Sequence, residues 1–413
     1  MDNVNKIVES YLCYGCGTCN VICAHNAISM HFDAIGRLAP VIDSSKCNDC
    51  GLCYNNCPSL DLKEIVLPDS NDKYLGQIKD IFIGKATDRK IFRNAQSGGL
   101  VTAVIKYLFD SGKIDAAIMC RVEDAKEYTA KAVVITSAED LYSCQKSSYV
   151  PIDIVSAMRE AVCYDSIAVV GTGCHIQGIR ALQQFNKYKE KIKFTLGLIC
   201  DRTLCKTVTQ VLYGFHAPTQ KKRLVWRDKT QDYKTARLLI KTKDKLISEI
   251  PSWQRHVLKD PFTNPRCRIC FDKLNTGADV VFGDPWGMEG VDWQNGMSLV
   301  LTRSAKGAEI IQNLIDEGKA ELEPAPLDQV IKGQSIEQRK EIVSAALKHY
   351  KNSNWLLSTY SDALFQNASN PNISRLIDQF VEDSNKKRWQ IVLKNRILLW
   401  RIQLHNFLNR HKV

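Results

Sequence analysis

Two runs of cysteine near the start of the chain have the residue type and the spacing to bind iron. Within each run the intervening segments contain two, two and three residues. The runs are Cys13, Cys16, Cys19 and Cys23, then Cys47, Cys50, Cys53 and Cys57. Three thiols at this spacing allow one tight loop to reach three irons of a cubic cluster, while the fourth iron is bound from elsewhere. The runs therefore predict two [4Fe-4S] clusters and the transfer of single electrons.

Structural zinc is the alternative for closely spaced cysteines, but zinc sites use two separate pairs. Here each run has three close cysteines and a fourth, and the connecting segment resembles the hairpin of bacterial two-cluster ferredoxins, which favours iron. Ala24 replaces the usual proline, which shapes a turn and binds no metal. In the ferredoxin architecture the fourth cysteine of each run crosses to the other cluster. One cluster would thus take Cys13, Cys16, Cys19 and Cys57, and the other Cys47, Cys50, Cys53 and Cys23.

The elements that follow alternate between short β-branched runs and helical stretches, which is typical of an α/β fold. A polar segment at 59–72 is predicted to be the linker from the cysteine-rich region. Strands are predicted at 81–83, 116–119, 132–135, 166–170, 280–282 and 298–301. Helices are predicted at 100–111, 152–162, 307–318 and 336–349, and the rest of the chain is predicted to be mostly helical.

Eight further cysteines follow the two runs, and among them only Cys267 and Cys270 form a C-x2-C pair. The nearest candidates to complete a set of four are Cys174 and Cys200, each after an apolar, strand-like run. Cysteines at the ends of adjacent parallel strands can meet at one crevice, where α/β sheets bind cofactors. A lone cysteine in an apolar run can equally be a core residue. The residues alone leave both interpretations open.

Several motifs, in order between residues 81 and 327, resemble the beta-subunit family of coenzyme F420-reducing hydrogenases and dehydrogenases. They are QSGGLVTA at 96–103, KSSYV at 146–150, VVGTGCHIQG at 169–178, the C-x2-C pair, and ADVVFGD at 278–284. The family includes hydrogenase and formate dehydrogenase beta subunits and the plant 7-hydroxymethyl chlorophyll reductase. Its members carry FAD and a four-iron cluster, and many begin with a two-cluster ferredoxin domain.

The predicted elements and the resemblance together give the fold class and the domains. We expect an α+β ferredoxin-like iron–sulfur domain at 1–65, an α/β flavin domain of the beta-subunit type at 73–335, and a basic C-terminal helical region at 336–413. The resemblance also implies a third [4Fe-4S] cluster, bound by Cys174, Cys200, Cys267 and Cys270. Gly173 stands where the family usually has proline, and Cys205 is the spare ligand if Cys200 is wrong. Cys120, Cys144 and Cys163 are expected to be buried structural thiols.

A flavin site is also implied by the resemblance. Ser97, Gly98 and Gly99 open a predicted helix, where backbone amides can bind phosphate, although the same residues can make an ordinary helix cap. The FAD-binding residues implied are Ser97, Gly98, Gly99, Lys146, Tyr149, Gly171 and Thr172. Asp284 is either a substrate contact or structural, and His175 either donates a proton or packs. No residue is assigned a catalytic role.

Charge and composition limit the partners. Of the formal charge of +11, eight units come from residues 384–413, which contain no Asp or Glu. The remainder is too weakly basic for a nucleic-acid face, so no nucleic-acid partner is predicted. The first residues lack the pattern of a secretory signal, and no apolar run of about 18 residues occurs. We therefore expect reduced cysteines and a cytoplasmic protein.

The basic tail carries apolar residues at intervals of three and four, which predicts a helix with an apolar stripe. The stripe comprises Trp389, Leu393, Ile397, Trp400, Leu404, Phe407 and Leu408. Such a helix suits the inner surface of a membrane, where the protein would be peripheral. The alternative is docking on its own domain or on a partner subunit, which the apolar residues on other faces, Ile391, Leu398 and Ile402, favour.

The resemblance implies an iron–sulfur flavoprotein oxidoreductase. It would exchange electrons between ferredoxin-type clusters and a small two-electron organic partner through FAD, and the family's partner is coenzyme F420. Two alternatives stay open: a flavin-dependent reductase of a small metabolite fed by ferredoxin, and a non-catalytic electron-transfer subunit of a larger complex. The expected protein partner is ferredoxin or another redox subunit.

Overall fold

Both cysteine runs contain a short helix that begins after a glycine in the left-handed region. In the computed structural model, which describes residues 2–60, 72–125, 127–213, 223–229, 237–242, 245–357, 364 and 370–410, Gly17 has φ 94° and Gly51 has φ 75°. The elements of this region are α1 (Val4–Glu9), α2 (Thr18–Ile22), β1 (Ile28–Phe32), β2 (Leu38–Ile42) and α3 (Leu52–Asn55). β1 and β2 form an antiparallel hairpin between the two runs. The ferredoxin-like α+β region is thus confirmed.

An eight-stranded mixed sheet forms the centre of the next region, with the order β13-β3-β12-β11-β7-β6-β4-β5. Its strands are β3 (Asp80–Ala86), β4 (Ala116–Glu123), β5 (Thr129–Ile135), β6 (Ile167–Thr172), β7 (Ile192–Leu198), β11 (Val280–Gly283), β12 (Ser298–Thr302) and β13 (Ala320–Pro324). The four central strands, β11, β7, β6 and β4, are parallel to one another, and the outer pairings are antiparallel. This parallel centre is the part of the sheet that can gather cofactor ligands at one edge.

Both faces of the sheet are buried, as a parallel sheet requires. Ala168 and Val170 of β6 point to one core, with Leu100 and Val104 of α5. Val169, between them, points to the opposite core. The helices of this region are α4 (Arg89–Asn94), α5 (Leu100–Asp110), α6 (Met158–Ala161), α7 (Gly173–Leu182), α8 (Asn186–Lys189), α9 (Thr207–Tyr213), α10 (Ser252–Phe262), α11 (Pro265–Arg268) and α12 (Ala305–Asp316).

A second, antiparallel sheet has the order β10-β9-β8. Its strands are β8 (Arg223–Asp228), β9 (Arg237–Thr242) and β10 (Lys245–Ile250). Trp226 of β8 is 1% exposed, donates a hydrogen bond to the Tyr128 hydroxyl at 2.9 Å and packs against Tyr149. The small sheet thereby brings the basic end of β8 next to residues 146–149.

The C-terminal helices are α13 (Leu327–Gly333), α14 (Ile336–Asn352), α15 (Pro371–Ser384) and α16 (Arg388–Arg410). Helix α14 shares one core with α1, including Val343, Leu347, Val4 and Ile7. The Tyr350 hydroxyl donates to the carbonyl of Tyr11 at 2.9 Å. The helical region therefore closes over the cysteine-rich region.

Most predicted elements are confirmed, and one is only partly right. The helix predicted at 152–162 is a 3-10 turn (Ile154–Ala157) followed by the single turn of α6. Its backbone is diverted because the Val155 amide donates to the carbonyl of Cys16, in the other region, at 3.1 Å. Most of the predicted linker, residues 61–71, lies outside the described residues.

Candidate iron–sulfur and cofactor site

The structure brings Cys57 close to the first cysteines of the first run, and Cys23 close to those of the second run, as the crossed ligand sets require. Burial raises the pKa of the Cys19 thiol well above its ordinary value, and neighbouring thiols raise it further. Those neighbours include Cys13, Cys16, Cys57 and Cys53. Burial also raises the pKa of Cys13 to about 12, although the Gly15 amide donates to its sulfur at 3.3 Å. Buried thiols this close together lose their protons readily only beside a cation, and the iron of a cluster would supply one.

The second group lines a small cavity beside the hairpin residues Ile28 and Ile42. The four cysteines in its wall are Cys23, Cys47, Cys50 and Cys53. The Ala27 amide lies 3.4 Å from the Cys23 sulfur, and Cys50 is exposed. The first group is largely buried and this one reaches the surface. It is the group that a redox partner could approach.

A third group gathers the cysteines expected beyond the ferredoxin-like region. Burial raises the pKa of Cys174 well above its ordinary value, and the nearby thiols of Cys200 and Cys270 raise it further. The pKa of Cys200 is likewise raised, by burial and then by Cys267 and Cys270. The fit of this set to a four-iron cluster is therefore good, because four neighbouring sulfurs come together from three separate segments.

The sheet and one loop position these four residues. Cys174 follows β6 and Cys200 follows β7, and the two strands are parallel neighbours with Thr172 opposite Leu198. The loop after α11 crosses both strand ends, where the Cys200 amide donates to the carbonyl of Lys273 at 3.0 Å. The fully buried Asn275 donates to the Gly171 carbonyl at 2.9 Å. Asn275 thus fastens the C-x2-C loop to the end of β6.

Arg339 on α14 also holds this loop, although it lies about seventy residues further along the chain. Its side chain is buried and donates hydrogen bonds to the carbonyls of Cys267 and Cys270. Its positive charge lowers the pKa of the Cys270 thiol against the larger, raising effect of burial. Neither Arg339 nor Asn275 was predicted, because nothing local in the sequence marks a contact at such separation.

The third group adjoins the first across the packed helices α2 and α7. Cys16 is among the thiols that raise the pKa of Cys174, after burial. Gly178 of α7 permits this approach, since a Cβ atom there would lie 2.2 Å from Thr18 Oγ1 and 3.6 Å from the Cys16 sulfur. Thr18 Oγ1 in turn lies 3.3 Å from that sulfur.

Replacing Gly178 with alanine should therefore separate the two groups or strain both helices. We expect a loss of about 1 to 3 kcal/mol in the free energy of unfolding, as for other overpacked contacts. Thr18→Ala removes the clashing oxygen, so the double variant should recover part of that loss. Denaturant unfolding of the single and double variants measures the coupling. Strictly additive losses would contradict the close contact.

The residues predicted to bind FAD lie at two separate sites in the structure. Ser97 Oγ lies 3.1 Å from Ser298 Oγ, and the Gly98 amide donates to that same hydroxyl at 3.0 Å. Gly98 is thus already bonded to the protein, while Gly99 has φ 82° and starts α5. Gly171 and Thr172 stand instead at the end of β6, with Thr172 Oγ1 3.3 Å from the Cys174 sulfur.

Lys146 and Tyr149 lie near Ser97. The Tyr149 hydroxyl accepts a hydrogen bond from Gln96 at 3.1 Å. Lys229, which was not predicted, donates to the Ser97 carbonyl at 2.8 Å. Burial, together with the charge of Lys146, lowers the pKa of Lys229 to about 8. Burial also lowers the pKa of Lys146, against the raising effect of Asp228, so a further anion would stabilise both half-buried ammonium groups.

Two arginines lie near these two lysines. The buried Nε of Arg255 has no hydrogen-bond partner among the residues that the structure describes. Arg227 pairs with Asp284, which assigns that aspartate a structural contact. Burial lowers the pKa of Arg255, and Arg227 lowers it too. The cationic cluster, defined as Lys146, Lys229, Arg227 and Arg255, has the charge and the donors to hold an anion such as a phosphate group.

His175 caps helix α7. Its Nδ1 accepts from the Thr172 amide at 3.2 Å, so its Nε2 carries the hydrogen that is donated to the Ile152 carbonyl at 2.8 Å. Burial lowers the pKa of His175 to about 4. Both ring nitrogens are therefore occupied by backbone partners in the neutral form, which supports packing over proton donation.

The remaining cysteines differ in their exposure to solvent. Cys144 is buried and Cys120 half-buried, but Cys163 is exposed, so the expectation that it is buried was wrong. It lies in the turn after α6, where its thiol faces solvent and donates to the Glu160 carbonyl. Cys205 is fully buried in an apolar core with Val208 and Phe262.

Two features are absent from the part of the chain that the structure describes. None of its helices combines the length and the apolar character needed to cross a membrane. No three or more His, Cys, Asp or Glu side chains among the same residues are close enough to hold a single metal ion. A four-iron cluster takes one thiolate per iron, so this second absence concerns mononuclear sites.

Comparison with known sequences identifies three matching segments. A 4Fe-4S dicluster domain matches residues 12–60. The N-terminal part of the coenzyme F420 hydrogenase/dehydrogenase beta subunit matches residues 81–159, and its C-terminal part matches residues 164–327. The matches cover the cysteine runs, the large sheet and the loop of the third group.

Related proteins are known from methanogens. The coenzyme F420-dependent sulfite reductase of Methanocaldococcus jannaschii is 29% identical over 74% of this chain, which spans only 46% of that relative. The beta subunit of the coenzyme F420 hydrogenase of Methanosarcina barkeri is 25% identical over 61% of this chain and 84% of its own length. The F420-reducing [NiFe] hydrogenase complex of the same organism contains a chain with a TM-score of 0.54 and 23% identity, covering 69% of this chain and 95% of that one. At that identity the structural likeness establishes the fold alone.

Proposed function

Because the chain belongs to the coenzyme F420 hydrogenase/dehydrogenase beta-subunit family and carries a 4Fe-4S dicluster domain, we propose that it is an iron–sulfur flavoprotein oxidoreductase. It exchanges electrons between its clusters and a small two-electron organic partner. When bound, the clusters transfer single electrons and FAD exchanges electron pairs with the organic partner.

The observation that carries the proposal is that the three cysteine groups lie next to one another, in a row from the surface into the molecule. The surface group around Cys50 adjoins the buried group around Cys19, since Cys53 influences the Cys19 thiol. Cys16 of that buried group influences Cys174 of the third group. Each group thus has a neighbour, and Thr172 joins the third group to the end of β6. Such an order suits electron transfer between the surface and the interior.

The protein's own residues would hold and shield the cofactors. Arg339 and Asn275 fix the C-x2-C loop, and burial excludes water from the third group. The cationic cluster would bind the phosphates of FAD, with Arg255 and Lys229 as hydrogen-bond donors. Arg227 is kept in position by its pair with Asp284.

Coenzyme F420 is the organic partner we propose first, because the names of several relatives include it. A reductase of a small metabolite is the second candidate. It is favoured by the relative that is named a sulfite reductase, of which this chain spans 46%. An electron-transfer subunit is the third, since the structurally similar chain belongs to a hydrogenase complex.

The test begins with anaerobic purification and counting of iron, sulfide and flavin. About twelve irons and one FAD per chain are expected for three four-iron clusters and a flavin. The isolated chain should then oxidise reduced coenzyme F420 with an artificial one-electron acceptor. Turnover of a metabolite with reduced ferredoxin, but none with F420, would favour the second candidate. Activity that requires a co-purifying subunit would favour the third.

The FAD site can be tested separately. Lys229→Met removes one charge from the cationic cluster. It should lower the amount of FAD retained after gel filtration, while the iron count stays unchanged. Lys187→Met is the matched control, because this exposed lysine lies on α8, away from the site. Equal FAD retention in both variants would contradict the assignment of phosphate binding to the cationic cluster.

A further inference from the structure

Helix α16 presents two apolar faces, and only one of them is buried. Ile391, Asn395 and Leu399, at intervals of four residues, are each at most 8% exposed. Ile391 and Leu399 pack into the core that contains Val211 of α9 and Leu258 of α10. The prediction that this helix docks on its own chain is therefore confirmed for this face.

The opposite face carries the stripe predicted from the sequence. Its members are exposed to the following extents: Trp389 61%, Leu393 50%, Ile397 41%, Trp400 62% and Leu404 40%. At 100° per residue these five side chains fall within one sector of the helix, opposite the buried face. The side chains of Phe407 and Leu408 lie outside the described residues. A continuous row of exposed large apolar side chains of this kind marks an interaction surface.

Cations border the stripe on both sides. Arg396 lies on one side, and Lys394 and Arg401 lie on the other. Lys394 pairs with Asp383 of α15, and Arg396 donates to the Gln210 carbonyl, which fixes both near the stripe. Arg401 is exposed. Asp383 of α15 offsets the charge of Lys394, and α16 itself adds no Asp or Glu to the border, so the border is cationic overall.

A groove of about 920 Å³ runs beside the first turns of the stripe. Its walls include the aromatic rings of Phe32 and Trp389 and the cations Lys206 and Arg388. Glu127 is the carboxylate in this wall. The groove offers a recess of mixed apolar and cationic character at the edge of the stripe, which matches the chemistry of a lipid with an anionic headgroup.

We propose that this face of α16 docks on an anionic lipid bilayer, with the stripe in the headgroup boundary and the bordering cations on the lipid phosphates. Tryptophan and leucine between basic residues is the composition of interfacial helices. A second copy of the chain is disfavoured, because pairing the same face would bring like charges together. A stable protein complex buries roughly 800 Å² on each partner, spread over about 20 to 30 residues, which one row of five side chains does not supply.

Sedimentation of the full-length, cluster-loaded protein with vesicles tests the proposal. We expect binding to phosphatidylcholine vesicles that contain phosphatidylglycerol and little binding to phosphatidylcholine alone. Added salt should weaken the binding, because it screens the charges. Trp389→Ser combined with Trp400→Ser should reduce binding about tenfold or more, since each buried tryptophan contributes substantially to partition. Arg401→Glu should weaken binding to the anionic vesicles only.

Leu246→Ser combined with Ile247→Ser is the matched control, because these residues of β10 are also exposed, at 52% and 38%. This control should bind vesicles like the unmodified protein, and all variants should keep the same iron count. Absence of vesicle binding by the unmodified protein, or equal binding by the tryptophan variant, would overturn the proposal. So would self-association or subunit capture that depends on Trp389 and Trp400 in a protein without affinity for vesicles.

Discussion

Cys267→Ser is expected to remove about four of about twelve irons per chain while the ferredoxin-type signal persists. The third group has four sulfurs from three segments, and a serine hydroxyl at Cys267 is a much weaker ligand for iron. The two N-terminal groups share no cysteine with the third, so their clusters should load normally. Iron and sulfide analysis of anaerobically purified protein, together with electron paramagnetic resonance of the reduced state, measures the loss.

Cys163→Ser is the matched control, because the Cys163 thiol is exposed and lies outside all three groups. It should retain the full iron count. Cys205→Ser tests the spare ligand, since Cys267 is among the charges that influence the buried Cys205 thiol. Iron loss in Cys205→Ser together with full iron in Cys200→Ser would show that Cys205 takes the place of Cys200 in the ligand set. An iron count of about eight in the unmodified protein and in every variant would show that no third cluster forms.

The parts of this molecule that the sequence predicts well depend on local spacing. The cysteine runs, the helix at Leu100–Asp110 and the strands of the large sheet each carry a pattern within a few residues. The four cysteines of the third group could be proposed from their places after apolar runs and from the family motifs. Their approach to one another follows from the parallel neighbours β6 and β7.

The residues that the sequence could not predict act over long separations. Arg339 bonds the carbonyl of Cys270 from another region of the chain. Lys229 reaches Ser97 only because β8 packs beside residues 146–149. The segment at 152–162 has helical periodicity, yet its Val155 amide donates to the Cys16 carbonyl. In each case a tertiary hydrogen bond decides the structure, and no pattern in the neighbouring residues encodes it.

The tail illustrates how two interpretations of one pattern can both describe a helix. The stripe favours a membrane surface, and the apolar residues on other faces favour docking on protein. In the structure the exposed stripe and the docked face occupy opposite sides of α16, so docking leaves the Trp389 and Trp400 face uncovered. Periodicity alone assigns residues to faces, but it does not say which face the rest of the chain will cover.

Arg339→Leu is expected to make the third group harder to reduce. Adding an electron to a cluster adds negative charge, and the buried guanidinium beside Cys267 and Cys270 offsets it. Removing that charge should lower the reduction potential by roughly 60 mV or more, equivalent to about 1.4 kcal/mol for one electron. The variant also leaves two carbonyls without their donor, which should cost about 1 to 3 kcal/mol in the free energy of unfolding. A redox titration followed by electron paramagnetic resonance measures the potential.

Two lysine variants separate charge from positioning. Arg339→Lys keeps the charge and loses the forked donor, so the potential should stay near that of the unmodified protein while the loop is held less firmly. Arg303→Lys is the matched control, because Arg303 is equally buried and donates to the carbonyls of Leu75, Gln77 and Leu274. It should lower stability without moving the potential. If Arg339→Leu and Arg303→Lys changed stability alike and left the potential unchanged, Arg339 would serve only to hold the loop, and the third group would owe its redox properties to burial.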